Sequence, residues 1–174
     1  MIYSIFACDS LGGFGVDDTL PWPLIEYDME KFVSNTLRRV VVMGYNAFKS
    51  LVYPLENRLI IVVQNRTKDR LEELCDNTLF ITFPELEILL KKASGHDTNH
   101  VFILGGVQII ESCIEYIDEL FIVHILGHYD CNIYINIAKM KDKFPVISFK
   151  SKVYNSNSCL YFFEIRGLDR NNQE

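Results

Sequence analysis

Three groups of residues in this 174-residue chain have types and spacings that could do chemistry. The first centres on Asp28, six residues after the single tryptophan, Trp22. Ile25, Met29 and Phe32 recur at i, i+4 and i+7, which marks one face of a helix, and Asp28 falls within that face. A carboxylate among apolar side chains is costly unless paired, and such acids are over-represented where protons are handled. The same placement fits an acid that caps or pairs in the first helical turn, where the helix dipole favours negative charge.

The second group is two strand-to-helix junctions marked by glycine. Residues 40–43 run into Gly44, and residues 101–104, ending at Leu104, run into Gly105 and Gly106. Unpaired backbone N–H groups at a helix start attract phosphate, and glycine admits a close approach, so neighbouring junctions could hold the pyrophosphate of a dinucleotide. Tight turns would use the same glycines. The G-x-G-x-x-G fingerprint is absent, which disfavours Rossmann-type binding. The third group is Gly12-Gly13-Phe14-Gly15 followed by Leu20-Pro21-Trp22-Pro23, which reads either as a mobile lid over a planar ligand or as a surface loop anchored by a buried Trp.

His124, His128, Asp130 and Cys131 invite a metal reading. However, His124 lies in a β-branched run that does not give helical ligand spacing, so a hydrogen-bonded or solvated His and no metal are expected. Five cysteines, an odd number without a C-x-x-C pair, read as small hydrophobes in a reducing cytoplasm.

The elements that must position these groups alternate. Strand-like runs fall at 2–8, 40–43, 59–63, 78–82, 101–104, 119–126, 145–154 and 160–165, and helical patterns at 24–36, 45–51, 84–92 and 107–117. Alternation implies an α/β fold with a central mixed, mostly parallel sheet covered by helices on both faces. The last two runs have no helix between them and predict an antiparallel C-terminal edge. One domain over residues 1–166 is expected, with a polar, fraying tail over 167–174.

Composition excludes several classes. With 49% hydrophobic and 13% aromatic residues, the chain has enough apolar surface to fold. The net charge of −6 disfavours a nucleic-acid partner. The apolar run 59–63 is far shorter than the ~20 residues that span a bilayer, and residues 1–8 lack the charge and cleavage site of a signal peptide, so no membrane partner is expected.

Taken in order, these segments resemble the dihydrofolate reductase family from Met1 to about Ile165. The residues that carry the resemblance are Leu20-Pro21-Trp22-Pro23 with an acid six positions after the Trp, as in vertebrate-type members, and Val41-Val42-Met43-Gly44. Phe48, Ser50, Pro54-Leu55 and Arg58 follow, then Leu104-Gly105-Gly106 and the closing Tyr161-Phe162-Phe163-Glu164-Ile165. The resemblance implies a cytoplasmic, monomeric reductase of dihydrofolate that uses NADPH and binds antifolate inhibitors. It implies that Asp28, with Trp22, is catalytic. It further implies that Ile5, Ala7, Met29, Phe32, Leu51, Leu55 and Leu104 contact the substrate's rings, while Arg58 pairs with the α-carboxylate of its glutamate tail. On the cofactor side it implies Ala7, Gly15, Leu20, Gly44, Tyr45, Asn46, Ala47, Gln64, Asn65, Arg66, Gly105, Gly106, Val107, Gln108 and Ile109, with the segment 15–20 as a lid.

The chain departs from the family pattern at Tyr45, Ala47, Gln64-Asn65, Ile110 and Val123, the last standing where a Thr usually bonds the acid. Arg66, Lys68 and Arg70 are the nearest cations able to replace the missing contacts to the cofactor phosphate. Two other readings keep the fold: a reductase of the riboflavin-pathway type, disfavoured by Asp28 and Arg58, and a non-catalytic binding or scaffold protein.

Overall fold

Runs of β-branched residues lose little freedom as extended chain, and where both faces are covered they need no polar alternation. Leu59-Ile60-Ile61-Val62-Val63 and Val40-Val41-Val42-Met43 are such runs, and both form strands. The structure is a computed structural model that describes residues 1–17, 19–65, 76–94, 100–149, 153–156 and 159–167. In chain order its elements are β1 (Ile2–Asp9), β2 (Gly13–Gly15), α1 (Glu26–Thr36), β3 (Val40–Gly44), α2 (Tyr45–Lys49), β4 (Leu59–Val63), β5 (Thr78–Ile81) and α3 (Phe83–Ala93). These are followed by β6 (Val101–Gly105), α4 (Val107–Ser112), β7 (Glu119–Ile125), β8 (Ile133–Tyr134), α5 (Ile137–Lys143), β9 (Val146–Phe149), β10 (Tyr154–Ser156) and β11 (Cys159–Gly167). Among the described residues no helix is long and apolar enough to cross a membrane.

The chain divides into two compact units. One holds Met1–Tyr3 and Val33–Ile117. Its strands β6, β3, β4 and β5 lie in that order and pair in parallel. β4 is followed by its neighbour β5, but β6 lies on the opposite side of β3, so the chain crosses back between them. Such a reversal opens a crevice at the carboxyl ends of parallel strands. Helix α3 starts where Glu85 Oε2 accepts the N–H of Thr82 at 2.7 Å with Pro84 in the first turn, and it buries Leu86 and Leu90.

The other unit holds Ser4–Phe32 and Asp118–Glu174. β11 pairs antiparallel with β7, β9 and β10, the antiparallel C-terminal edge expected from the sequence. Opposed residues share a face. Phe163 with Val123 and Tyr161 with Ile125 face one side, whereas Phe162 with His124 and Glu164 with Ile122 face the other.

Several boundaries differ from the sequence reading. Within the run 145–154 the described residues form β9 up to Phe149 and the start of β10 at Tyr154, and residues 150–152 lie outside the described residues. α4 stops at Ser112, and α1 begins only at Glu26, behind Pro21 and Pro23. The tail does not start at 167, because Arg166 is buried and Gly167 still pairs with Glu119. Helix α5 was not anticipated, although Asn136 Oδ1 caps it by accepting the Lys139 N–H at 3.0 Å and Met140 anchors it.

Candidate functional site

The acid comes first. Between Pro21 and Pro23, Trp22 is buried and lies edge-on to Tyr129, with ring centroids 5.8 Å apart. Trp22, Ile25, Val123, Ile125, Cys159 and Tyr161 form one buried cluster, with Ala7, Tyr27, Tyr129, Tyr154 and Phe163 packed against it. Trp22 therefore anchors the entry to α1. Asp28, in the first turn of α1, is half-buried, and burial pushes its carboxyl up to about 6. Among the described residues no hydrogen bond reaches that carboxylate. Its charge is felt by the Tyr161 hydroxyl, which burial and neighbouring charges raise. An unbonded, proton-holding acid beside an apolar cluster is a group that can deliver a proton near neutral pH.

The apolar face predicted around it is only partly covered. Ile25 is 3% exposed but precedes the helix, Phe32 is half-buried, and Met29 is 46% exposed. The only α1 residue that is buried is Thr36. Ile5 is buried in β1 of the same unit.

The first unit carries the glycine junctions. β3 and β6 are adjacent and parallel, with Met43 opposite Gly105, so both glycine ends lie side by side as the sequence suggested. Each leads into a short helix, and neither helix start has a side-chain cap. Helix starts without a side-chain cap are the kind of backbone that an anion can satisfy. A Cβ at Gly44 would stand 3.2 Å from Ile109 Cγ1, whereas a Cβ at Gly106 would meet nothing within 4 Å. Gly44 thus seats a neighbouring side chain, while Gly106 faces open space that a ligand could enter. Gly105 has φ +131°, which favours glycine, and the Gly105–Gly106 peptide is cis. Tyr45, Ala47, Leu104, Val107 and Ile109 are half-buried around these turns, while Asn46 and Gln108 are exposed. Ile110 is fully buried, a core residue of α4. Gln64 and Asn65 follow β4, with Gln64 N–H bonded to Ile81 O at 3.0 Å. Arg66, Lys68 and Arg70 lie outside the described residues.

Arg58, just before β4, is buried. Its Nε donates to Thr36 Oγ1 at 2.9 Å and its Nη1 to Glu56 O at 2.8 Å. Burial holds its pKa below the usual value. Asn77 Nδ2 donates to Leu55 O and Arg58 O, at 3.2 and 2.9 Å, and fixes the segment that carries it. Leu51 and Leu55 are half-buried nearby in the chain.

The glycine-rich segment is less free than a loop reading suggests. Asp9 Oδ1 accepts the N–H groups of Leu11 and Gly13 at 2.8 and 2.7 Å, and its Oδ2 accepts that of Tyr129 at 3.1 Å. Burial opposes this carboxylate's charge, yet the three N–H bonds hold its pKa below the ordinary value. A Cβ at Gly13 would lie 2.6 Å from Cys131 Sγ, so only glycine fits there. β2 then pairs with β8, and Asn132 Nδ2 donates to Asp17 Oδ1 at 2.8 Å. Leu20 is exposed. Sequence reasoning missed Asp9 and Thr36; an Asp at a strand end before glycines is the available signal for the former.

Among the described residues no group of three or more His, Cys, Asp and Glu side chains is placed to hold a metal ion. His124 is hydrogen-bonded, as expected. Its Nε2 lies 2.6 Å from Glu164 Oε2, and Arg166 Nη2 donates to Glu164 Oε1 at 2.7 Å.

A mixed, mostly parallel sheet with helices and an antiparallel C-terminal edge defines an α/β protein; one unit carries two uncapped helix starts at adjacent strand ends, and the other carries an isolated acid. The dihydrofolate reductase family model matches residues 1–166, and the chain belongs to that family. Its fold is shared with the dihydrofolate reductase from Enterococcus faecalis complexed with NADP(H) and RAB-propyl. The TM-score is 0.80 at 21% identity, over 97% of this chain and 96% of that one. The chain is 29% identical over 134 residues to the dihydrofolate reductase of Ureaplasma parvum, covering 75% of this chain and 79% of the relative. It is 34% identical over 138 residues to segregation and condensation protein A of Mycoplasma pneumoniae, covering 79% of this chain but only 26% of that relative.

Proposed function

We propose that this chain reduces 7,8-dihydrofolate to tetrahydrofolate with NADPH. The observation that carries the reading is Asp28, a half-buried carboxyl raised to about 6 by burial next to the Trp22 cluster, in a chain of this family. Asp28 hydrogen-bonds the pterin ring and supports protonation at N5. A carboxyl that titrates near 6 still holds its proton in a fraction of molecules at neutral pH, which a carboxyl at the ordinary 3.8 does not. Trp22 holds the start of α1 and thereby the acid. Ile5, Ala7, Met29, Phe32, Leu51, Leu55 and Leu104 supply apolar contacts to the pterin and aminobenzoyl groups, and the exposed thioether of Met29 gains cover when substrate binds. Arg58, held rigid by Thr36 and Glu56, pairs with the α-carboxylate.

The uncapped starts of α2 and α4 and the open space over Gly106 fit a dinucleotide phosphate. Bound NADPH supplies the hydride, which no protein side chain can. Gly44, Tyr45, Asn46 and Ala47 hold the cofactor on one strand end and Gly105, Gly106, Val107, Gln108 and Ile109 on the other. Gln64, Asn65 and Arg66, together with Ala7, Gly15 and Leu20, would complete the cofactor's binding, with the segment 15–20 serving as its lid. The protein acts as a cytoplasmic monomer on small molecules, and antifolates compete with the substrate.

A second reading is favoured by the relative of 34% identity, a segregation and condensation protein of which the matched region is about a quarter. In it, the chain is a binding module of a chromosome-segregation protein that keeps the fold without turnover. NADPH oxidation measured with and without dihydrofolate, alongside a thermal shift with methotrexate, separates the two. Dihydrofolate-dependent oxidation supports the first reading; methotrexate binding without turnover, or neither signal, sinks it.

A further inference from the structure

In the first unit an open cleft of about 450 Å³ lies at the amino ends of β3 and β4, beside the residue that precedes β6. That is the end opposite Gly44 and Gly105. At about 3.3 Å per residue, five-residue strands put the cleft some ~15 Å from those glycines. Its charged lining is Arg38, Arg39 and Arg58, with His100 and Asn57 beside them, and among the described residues no Asp or Glu lines it. The placement is built by the backbone. Arg38 N–H donates to Asn57 O at 2.8 Å, Leu59 N–H to Arg39 O at 3.1 Å and Arg39 N–H to Thr36 O at 3.1 Å. Arg38 and Asn57 both sit at positive φ, 57° and 54°, so each turn is bent to make these bonds. On the far wall, His100 stacks on Tyr3 at 5.4 Å between ring centroids, and its Nδ1 lies 3.0 Å from the Tyr3 hydroxyl.

The cleft gathers three arginines in a chain that carries 23 acidic residues against 17 Lys and Arg. Among the described residues, Arg38 and Arg39 nonetheless form no ion pair. Arg58 is buried and held at two of its nitrogens, so one wall of the cleft is preorganised. Planar forks of this kind match carboxylate and phosphate oxygens.

We propose that this cleft is a binding site for a ligand carrying two or more neighbouring anionic groups, phosphates or carboxylates, with Arg38 and Arg39 as its main contacts. The site stands on Arg38, Arg39 and His100. It shares only Arg58 with the function proposed above, so a polyanion seated there lies next to the residue assigned to the substrate's carboxylate.

The test has two arms, which separate the two sources of such anions. In the first, sodium tripolyphosphate is titrated calorimetrically into the full chain without folate, at low and at high salt. Salt-weakened binding is expected, and it should fall roughly ten- to a hundredfold in the Arg38→Gln/Arg39→Gln variant. In the second, dihydrofolate is compared with dihydrofolate extended by further γ-linked glutamates, by equilibrium binding. Tighter binding of the extended form, lost in the same variant, identifies the carboxylate source. An Arg38→Lys/Arg39→Lys variant, which keeps the charge, should retain most of whichever signal appears and controls for folding. If neither probe distinguishes the wild type from the Gln variant, the proposal is overturned. Both arms read binding rather than turnover, so an inactive protein that still binds tripolyphosphate overturns the reductase reading and leaves this one standing.

Discussion

Arg58 Nε donates to Thr36 Oγ1 across 2.9 Å, which ties the residue before β4 to the end of α1. A buried guanidinium needs its donors satisfied, so the hydroxyl of Thr36 decides where the fork points.

Arg58→Leu is therefore expected to weaken dihydrofolate binding roughly ten- to a hundredfold, the loss of one charge-assisted pair. A pterin without the glutamate tail should bind both proteins alike. Thr36→Val leaves Nε without its acceptor and should lower stability by about 1–3 kcal/mol in urea unfolding, with a rise in the KM for dihydrofolate. Equal losses for tailed and tailless ligands would remove Arg58 from its assigned role.

Asp28→Asn keeps the volume and removes the ionisable group. Turnover at neutral pH should fall by ~10²–10⁴. Stability should move the other way. The folded-state pKa, about 6, lies above the ordinary 3.8, so the folded protein holds the proton more tightly and is most stable with Asp28 protonated. Wild-type stability should decline as pH rises from about 4 to 6, and above that the charged, half-buried group costs on the order of 1–3 kcal/mol. The Asn variant should escape that decline. Parallel urea titrations at pH 5 and pH 7.5 check it, and a variant less stable at both values contradicts the assignment.

Val123 lies in the buried cluster with Trp22 and Ile25, and Asp28 has no hydrogen bond among the described residues. Val123→Thr offers a hydroxyl of nearly the same shape. A donor favours the charged acid and lowers its pKa, so the pH–rate profile for hydride transfer should shift to lower pH by about one unit. Single-turnover rates across pH for the two proteins measure it. A shift to higher pH, or none, would show that Val123 does not act on Asp28.

Glu164 is 5% exposed and joins Arg166 at 2.7 Å and His124 at 2.6 Å. Burial works against its charge, yet Arg166 and His124 hold its pKa below the ordinary 4.5. Its contribution to stability is therefore present above about pH 4.5 and lost as pH falls through the lower folded value. Burial likewise lowers His124 below 6.5, despite Glu164, so acid must charge a buried imidazole and stability falls further. Glu164→Gln strands Arg166 and should cost about 3–5 kcal/mol at neutral pH, with a shallower acid limb. Thermal unfolding of both proteins between pH 4 and 8 is the measurement; an unchanged melting temperature at pH 7 would show that the pair contributes nothing net.

Much was determined by the sequence alone. The β-branched runs had to be strands, since their side chains suit a pleated surface covered on both sides, and β4 matches its predicted bounds. Trp22 between two prolines read as part of a lid or as the anchor of a loop, and Asp28 fell within the apolar stripe of a helix. What the sequence left open was settled by partners far along the chain. The buried cluster that Trp22 and Ile25 join takes Val123 and Ile125 from β7 and Cys159 and Tyr161 from β11, some hundred residues or more later in the chain. Arg166 stood at the polar border of the expected domain, and Glu164 and the carbonyl of Phe144, at 2.8 Å, make it a core residue. That β3 and β6 are neighbours, which puts Gly44 beside Gly105, follows from a crossover. Periodicity reports which faces of an element are apolar; only the closing of the chain decides what those faces meet.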